Sequence, residues 1–313
     1  MLLCLLSALH VAQAQEFPSR PVHVIVPFTP GTGADILARV LGPRLSERWK
    51  VAVVVENRTG ATGNIGADLV AKSPPDGHTI LLTATSFGTN SALTRSLPFD
   101  PVASFAPVGL VATSALAVIV SAQVPAGSMR EFIELAKRQP GKLHYGSPGS
   151  GGVQHLAMEL LKLETAIDVV HVPYKGLGGA MSDAIAGHVQ VLIAALQSVA
   201  PHVHSGRLRM LAVMSAERAP AFPNVPTLRE QGLSELEVET WYAAFAPAGT
   251  PPRVVTRINS DINGLLEDPL MKNFLEKQGM SAAGGTPQQM AELLRRELAR
   301  WSRVVQAAGI KGD

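Results

Sequence analysis

Residues Val22–Asp35 read VHVIVPFTPGTGAD. Five residues with strong strand preference run into a turn carrying Pro27, Pro30, Gly31 and Gly33, and a helical pattern follows over Ala34–Trp49. Pro43 lies inside that helix and is expected to kink or shorten it. The same device of strand, glycine-rich turn and helix recurs at Thr83–Asn90, Tyr145–His155 and Pro173–Ala180. Further apolar runs at Val51–Val55, Ile80–Thr83, Leu116–Val120, Val169–Val172, Val189–Ala194 and Leu208–Met214 read as strands. Their near-continuous apolarity suits strands buried on both faces. Strands alternating with helices define an α/β protein with mainly parallel sheets flanked by helices. No repeat of 20–50 residues is evident.

Helix boundaries are also legible. Ser128 and Glu131 form a capping box for a helix that ends at Gln139, before Pro140-Gly141, and Thr227 with Glu230 forms a second box. Thr250-Pro251 and Thr286-Pro287 each place a cap residue ahead of a first-turn proline. From Pro287 to about Ala307, Met290, Leu293, Leu294, Leu298, Trp301, Val304 and Val305 form one apolar stripe, so Trp301 is expected in the core.

A strand that feeds a helix through small residues leaves backbone N–H groups and the positive end of the helix dipole facing outward, a site suited to an anion. Ser147-Pro148-Gly149-Ser150-Gly151-Gly152 is the clearest case, and Pro27–Gly33 the second. Each loop taken alone is equally well explained by chain turning. Asp35 at the second loop is expected to cap its helix, with the carboxylate turned away from any ligand.

Composition narrows the function. The chain has 313 residues, 46% hydrophobic and 17% charged, with 28 Gly and 23 Pro, and a net charge of +2 from 27 basic and 25 acidic residues. Glycine and proline stay well under the disorder range. No Lys/Arg run interleaved with aromatics exists, which argues against a nucleic-acid partner. Residues 1–14, MLLCLLSALHVAQA, resemble a signal-peptide apolar region ending in an Ala12-Gln13-Ala14 cleavage site, although the basic start is missing. Cleavage there would remove Cys4, the one cysteine, and so exclude disulfides and thiol chemistry from an exported, soluble chain.

Catalytic patterns are weak. G-x-G-x-x-G fails because Ile36 stands at the third glycine position, which disfavours a dinucleotide fold after Val22–Val26. No G-x-S-x-G or H-E-x-x-H occurs, His202 and His204 diverge on a helix, and His155 and Glu159 share a helix face without further ligands. No metal and no cofactor are expected.

The ordered segments Phe17–Val22 (FPSRPV), Val26–Gly31 (VPFTPG), Ala34–Arg39 (ADILAR), Val55–Arg58 (VENR) and Gly60–Ala67 (GATGNIGA) resemble a known family. Pro74–Thr79 (PPDGHT), Leu97–Pro101 (LPFDP), Leu143–Ser147 (LHYGS), Val172–Gly176 (VPYKG), Val225–Thr227 (VPT) and Ala246–Pro251 (APAGTP) continue the match. The family is the periplasmic substrate-binding receptors of tripartite tricarboxylate transporters, often called Bug receptors, and the resemblance covers residues 17–310. It implies a type II periplasmic-binding-protein-like fold with two lobes, residues 15–118 plus 245–313 and residues 119–244. Two crossings, near Leu116–Val120 and Trp241–Ala246, would join them. It further implies a monomeric periplasmic receptor, without enzymatic activity, that delivers a small organic acid to membrane permease subunits.

Carried over by position, the resemblance assigns Phe28, Thr29, Gly31 and Thr32 to one jaw, with Thr85, Ser86 and Thr89 beside it. Ser147, Gly149, Ser150 and Gly151 form the other, with Tyr174 and Lys175 lining the cleft. Lys175 either neutralises a second carboxylate or is solvated; Tyr174 either lines the cleft or packs in the core; Trp241 leans over the cleft or packs at the hinge. Two departures bear on the ligand: Gly31-Thr32 replaces the family's double glycine, and Ala194-Ala195 stands where an Asp-Asn pair is usual. The second favours a roomier, more apolar pocket for an aromatic or longer-chain acid. The other readings are a nucleotide-dependent oxidoreductase using the same cleft, and a ligand-sensing partner of a signalling protein.

Overall fold

The computed structural model describes residues 17–94, 96–174 and 176–310. The expected signal segment 1–14 with Cys4, and the candidate Lys175, lie outside the described residues. The chain opens with β1 (Val22–Val26), α1 (Gly33–Trp49), β2 (Val53–Asn57), α2 (Asn64–Ala71), β3 (Thr79–Ala84) and α3 (Ser86–Leu93). A 17-residue strand β4 (Phe105–Ser121) leads to α4 (Met129–Arg138), β5 (Leu143–Ser147), α5 (Val153–Thr165), β6 (Val169–Pro173) and α6 (Leu177–Ala186). Then come β7 (Val191–Ala195), α7 (Leu196–His204), β8 (Leu208–Val213) and β9 (Glu239–Pro247). The chain ends with α8 (Pro252–Leu266), α9 (Pro269–Lys277), β10 (Ser281–Ala282) and α10 (Pro287–Ala307).

One mixed sheet carries all of these strands in the order β2-β1-β3-β9-β4-β7-β5-β6, with β10 and β8 also on β4. Between the strands of the sheet, parallel pairing is confined to the two wings, β2-β1-β3 and β7-β5-β6, apart from a single parallel bridge of Val213 on β8 to Thr227. The strands between them, β9 and β4, pair antiparallel with their neighbours. β4 is shared: Phe105–Ala115 pairs with β9, whereas Leu116–Ser121 pairs with β7 and β8. On the return, Val238 N–H still donates to Met214 O, and Glu239 is already opposite Ala115.

Most strands fall where the apolar runs place them. β4 is much longer than the expected Leu116–Val120: it starts at Phe105, and a register shift against β9 accommodates Pro107 and Gly109. β2 begins at Val53 rather than Val51 and extends to Asn57, since its register on β1 pairs Glu56 with Ile25 and Asn57 with Val26.

The helix ends show which cap expectations hold. Ser128 Oγ accepts from Glu131 N–H, and the Thr286/Gln289 box is reciprocal. The Thr227/Glu230 box is also reciprocal, but opens only a 3₁₀ turn at Arg229–Gln231. Thr250 is not a cap: α8 is entered from Pro251, and Thr250 Oγ1 donates to Pro247 O. α1 runs through Pro43 without interruption.

Burial is organised in clusters on the sheet faces. Phe87, Phe99, Phe105 and Phe245 pack with centroid distances of 5.1–6.2 Å and seat α3 on β4 and β9. α10 spans two of the clusters. Met290 and Leu294 join Phe87 and Trp241, whereas Trp301, Val304 and Val305 join Phe132, Leu156 and Leu160 beyond the sheet's midpoint. No helix among the described residues is long and apolar enough to cross a membrane.

Candidate functional site

The turn after β1 is fixed from below. Gly31 adopts φ +84°, and its N–H donates to Asp35 Oδ2 at 2.9 Å. Asp35 is buried; its other oxygen accepts from Asn57 Nδ2 at 2.8 Å, and Arg39 Nε donates to it at 3.0 Å. Asn57 Nδ2 also donates to Phe28 O. Asp35 therefore braces the loop rather than merely capping α1, and its carboxyl stays below the usual carboxylate range because of these bonds, although burial opposes them. Thr32 Oγ1 donates to Thr29 O, so its hydroxyl turns back into the loop. Phe28 is half-buried, with Thr29 exposed. The N–H groups of Gly33 and Ala34, in the first turn of α1, have no intrahelical acceptor.

The second turn, between β3 and α3, lies beside it. Thr85 is buried and bonded to β9: Trp241 N–H donates to Thr85 Oγ1 at 2.7 Å, and Thr85 N–H donates to Trp241 O. Thr89 is also buried, which leaves half-buried Ser86 as the accessible hydroxyl of the three. Asn90 Nδ2 donates to Thr62 O at 2.6 Å, tying α3 to the Gly60–Gly63 turn.

On the other side, Ser147 is fully buried, and its Oγ lies 2.6 Å from His171 Nε2. Gly149 (φ +153°) and Gly151 (φ +77°) give the loop its shape. Gly151 N–H donates to His155 Nδ1 at 2.8 Å, while Ser150 is exposed. Tyr174 N–H donates to Ser147 O, its ring packs against Gly146 and Gly179, and its hydroxyl donates to Asp183 at 2.5 Å. Burial and that carboxylate push the Tyr174 phenol up to about 12.

The two sides meet. A Cβ built on Gly151 would lie 2.6 Å from Leu93 Cδ1 at the end of α3. The C-terminal end of α3 is thereby brought against the Ser147–Gly152 loop. The residues at these turns offer N–H donors and hydroxyls, and Arg39 and Arg58 beside the first of them are already paired, with Asp35 and Glu56. Such an arrangement can hold an anion without a basic cluster.

Several contributors were not anticipated from sequence. Tyr242 on β9 places its hydroxyl against Gly33 at the start of α1. Asn57, Thr62 and Asn90 latch the turns, and only the VENR and GATGNIGA segments hinted at the first two. His155 and His171 stack with Tyr145 behind the serine loop. Among the described residues no group of three or more His, Cys, Asp or Glu could hold a metal ion.

A separate cavity of about 1020 Å³ lies away from these loops, between β9, α10 and the Ala283–Gly285 turn. Trp241, Glu237, Glu239, Met290 and Arg300 are among its lining residues. Trp241 is 3% exposed and packs with Phe87 and Met290, so it belongs to the packing beside the shared strands. Burial, with Glu237 beside it, pushes the Glu239 carboxyl upward.

A sheet with two parallel wings joined through shared strands is the architecture of a two-lobed periplasmic binding protein. The family model described as tripartite tricarboxylate transporter family receptor (TctC) matches residues 37–310, and the chain belongs to that family. BugT of Bordetella pertussis is 35% identical over 300 residues, covering 95% of this chain and 92% of that protein. The structure of R. palustris Rpa4515 with adipate is 35% identical with a TM-score of 0.78, covering 95% of this chain and all of that one. MatC (Rpa3494) from Rhodopseudomonas palustris, with bound malate, is 29% identical with a TM-score of 0.74, over 92% of this chain and all of that one.

Proposed function

We propose that this receptor is a periplasmic protein that captures a linear dicarboxylate between two lobes and presents it, as a monomer, to the permease subunits of its transporter. Binding rather than catalysis is the role of the cleft. The lobes are residues 15–118 plus 245–313 and residues 119–244. Supporting this division, β4 changes partners at Ala115–Leu116 and the return strand does so at Val238–Glu239. The observation that carries the reading is the approach of Leu93, at the end of α3, to Gly151 of the serine loop, which supports a cleft between the two proposed lobes.

Chain length and polarity of the ligand follow from what faces the start of α7. Ala194 is buried in β7, and half-buried Ala195 brings neither an amide nor a carboxylate. An acid with an apolar middle, such as the adipate held by Rpa4515, suits this cleft better than a hydroxylated one such as the malate held by MatC. Lys175 is a candidate partner for the second carboxylate.

A ligand bridging both lobes shifts the population toward the closed form. At about 100 times its dissociation constant it stabilises the fold by roughly 2.7 kcal/mol, which for a chain of this size raises the melting midpoint by roughly 5–10 °C. A thermal-shift series of di- and tricarboxylates, aromatic acids and amino acids is expected to show this for a C5–C7 dicarboxylate and less for malate. The reading fails if none of the acids moves the midpoint.

A further inference from the structure

Behind the Ser147–Gly152 loop, three rings form a stack that the anion-binding role does not itself require. The His155 and His171 rings lie 3.9 Å apart and 11° from parallel, and Tyr145 lies 4.7 Å beyond His171. Tyr145 Oη donates to Glu159 at 2.6 Å, and Lys162 Nζ donates to the same carboxylate at 2.8 Å. Each imidazole reaches forward to a different point on the loop. His155 Nδ1 accepts the Gly151 N–H, so that nitrogen carries a lone pair and no proton. His171 Nε2 meets Ser147 Oγ, which also lies 2.9 Å from Gly149 O, allowing a chain of donation from imidazole to hydroxyl to carbonyl.

We propose that His155 and His171 are positioning residues of the ligand loop: they draw the Gly151 N–H and the Ser147 hydroxyl inward, leaving Ser150 and the first turn of α5 to face the ligand. This rests on the receptor reading above. It also changes the part played by two residues of the expected site, since Gly151 and Ser147 then shape the loop and do not donate to the acid.

Protonation has a definite sign here. A proton on His155 Nδ1 would set donor against donor at Gly151 and break the hold on the loop. Burial lowers both imidazoles from the ordinary value, so that the neutral forms prevail at pH 7 and protonation comes only with acid, and the neighbouring His155 helps hold His171 down to about 4. The charged or titratable groups facing the pair are Tyr145 from β5 and Glu159 and Lys162 from α5, while β7 brings apolar Val191 and Ile193 to the same cluster. Glu164, further along α5, is turned to Arg303 of α10. Acid therefore weakens ligand binding through this stack, whereas an imidazolium acting as a simple cation near the ligand would strengthen it.

The test compares wild type, His155→Asn and His155→Leu, with adipate as probe, by calorimetry between pH 7 and 5, and by hydrogen exchange of the Gly151 amide. Asparagine keeps an acceptor near the Nδ1 position but does not titrate; leucine keeps neither property. His155→Leu is expected to lose at least tenfold in affinity and to lose Gly151 amide protection. His155→Asn should stay within about threefold of wild type at pH 7, keep the protection, and show a flatter pH profile once the ligand's own titration is cancelled by comparison at each pH. The proposal is overturned if His155→Leu binds adipate like wild type, or if His155→Asn retains the wild-type acid loss. Should His155→Leu not fold, the His155→Asn profile and its Gly151 protection decide the matter. If wild type binds no acid, the receptor reading falls, while Gly151 protection still tests the positioning role.

Discussion

Trp301→Ala is expected to lower the melting midpoint by roughly 6–20 °C, the largest stability loss for any single side chain outside the cleft. Trp301 is fully buried, and its indole N–H donates to Glu297 Oε2 at 2.8 Å. Truncating a buried aromatic to alanine costs about 3–5 kcal/mol through lost transfer energy and the cavity left behind, and each kcal/mol moves the midpoint of a chain this large by roughly 2–4 °C. Glu297, 6% exposed, would keep Arg300 at 3.8 Å but lose its close donor. The position matters as much as the size, because α10 carries Met290 and Leu294 into one cluster and Trp301, Val304 and Val305 into another. Trp301→Phe, which keeps a ring but not the N–H, should lose less than half as much. A midpoint change below about 2 °C for Trp301→Ala in a thermal melt would show that α10 does not hold the two clusters together.

Gly33→Ala is expected to act in the opposite way, with little effect on stability and a large one on binding. Gly33 opens α1, where alanine is the better helix former by up to about 1 kcal/mol. Its Cβ, however, would fall inside contact distance of Tyr242 Oη, Cζ and Cε1. Either the ring swings aside or the first turn of α1 lifts away, and either disturbs the start of α1, whose N–H groups at Gly33 and Ala34 belong to the proposed site. A loss of at least tenfold in adipate affinity, about 1.4 kcal/mol, is expected by calorimetry, with the melting midpoint of the free protein within about 2 °C of wild type. Tyr242→Phe in the same chain removes the hydroxyl that meets the new methyl and should recover part of the loss. Unchanged affinity for Gly33→Ala would mean that the start of α1 does not touch the ligand.

Much of the fold was legible because short strands announce themselves as apolar runs, whether they pair parallel or antiparallel: β1, β3, β6 and β8 fall close to their predicted spans. The full shared strand was not: Leu116–Val120 is its continuous apolar part, and the Phe105–Ala115 part contains Pro107 and Gly109, which a register shift accommodates. Nor was the extent of antiparallel pairing. β9 contains Trp241, Tyr242 and Phe245 amid alanines, and nothing local in that run says that it will lie between β3 and β4.

The loops of the site were legible as glycine-rich turns ahead of helices, but their hydrogen bonds were not. The resemblance places Gly31 and Gly151 in the two jaws, yet their N–H groups are spent on Asp35 and His155 four residues further along. That spacing is local, so an acid or imidazole one helical turn past a loop glycine was the available signal. The rest depends on distant chain. Asn57 reaches Asp35 from β2, Asn90 reaches Thr62, and Tyr242 reaches Gly33 from β9, contacts that arise only once the sheet order is known.

The most direct test of the central claim is a crystal structure of the protein with adipate. The account predicts one carboxylate within hydrogen-bond distance of the first-turn N–H groups of α1 or α5 and of Ser150, with Leu93 and Gly151 in contact across the cleft. Adipate bound instead in the cavity beside Trp241 and Glu239, with the facing loops left unoccupied, would contradict it.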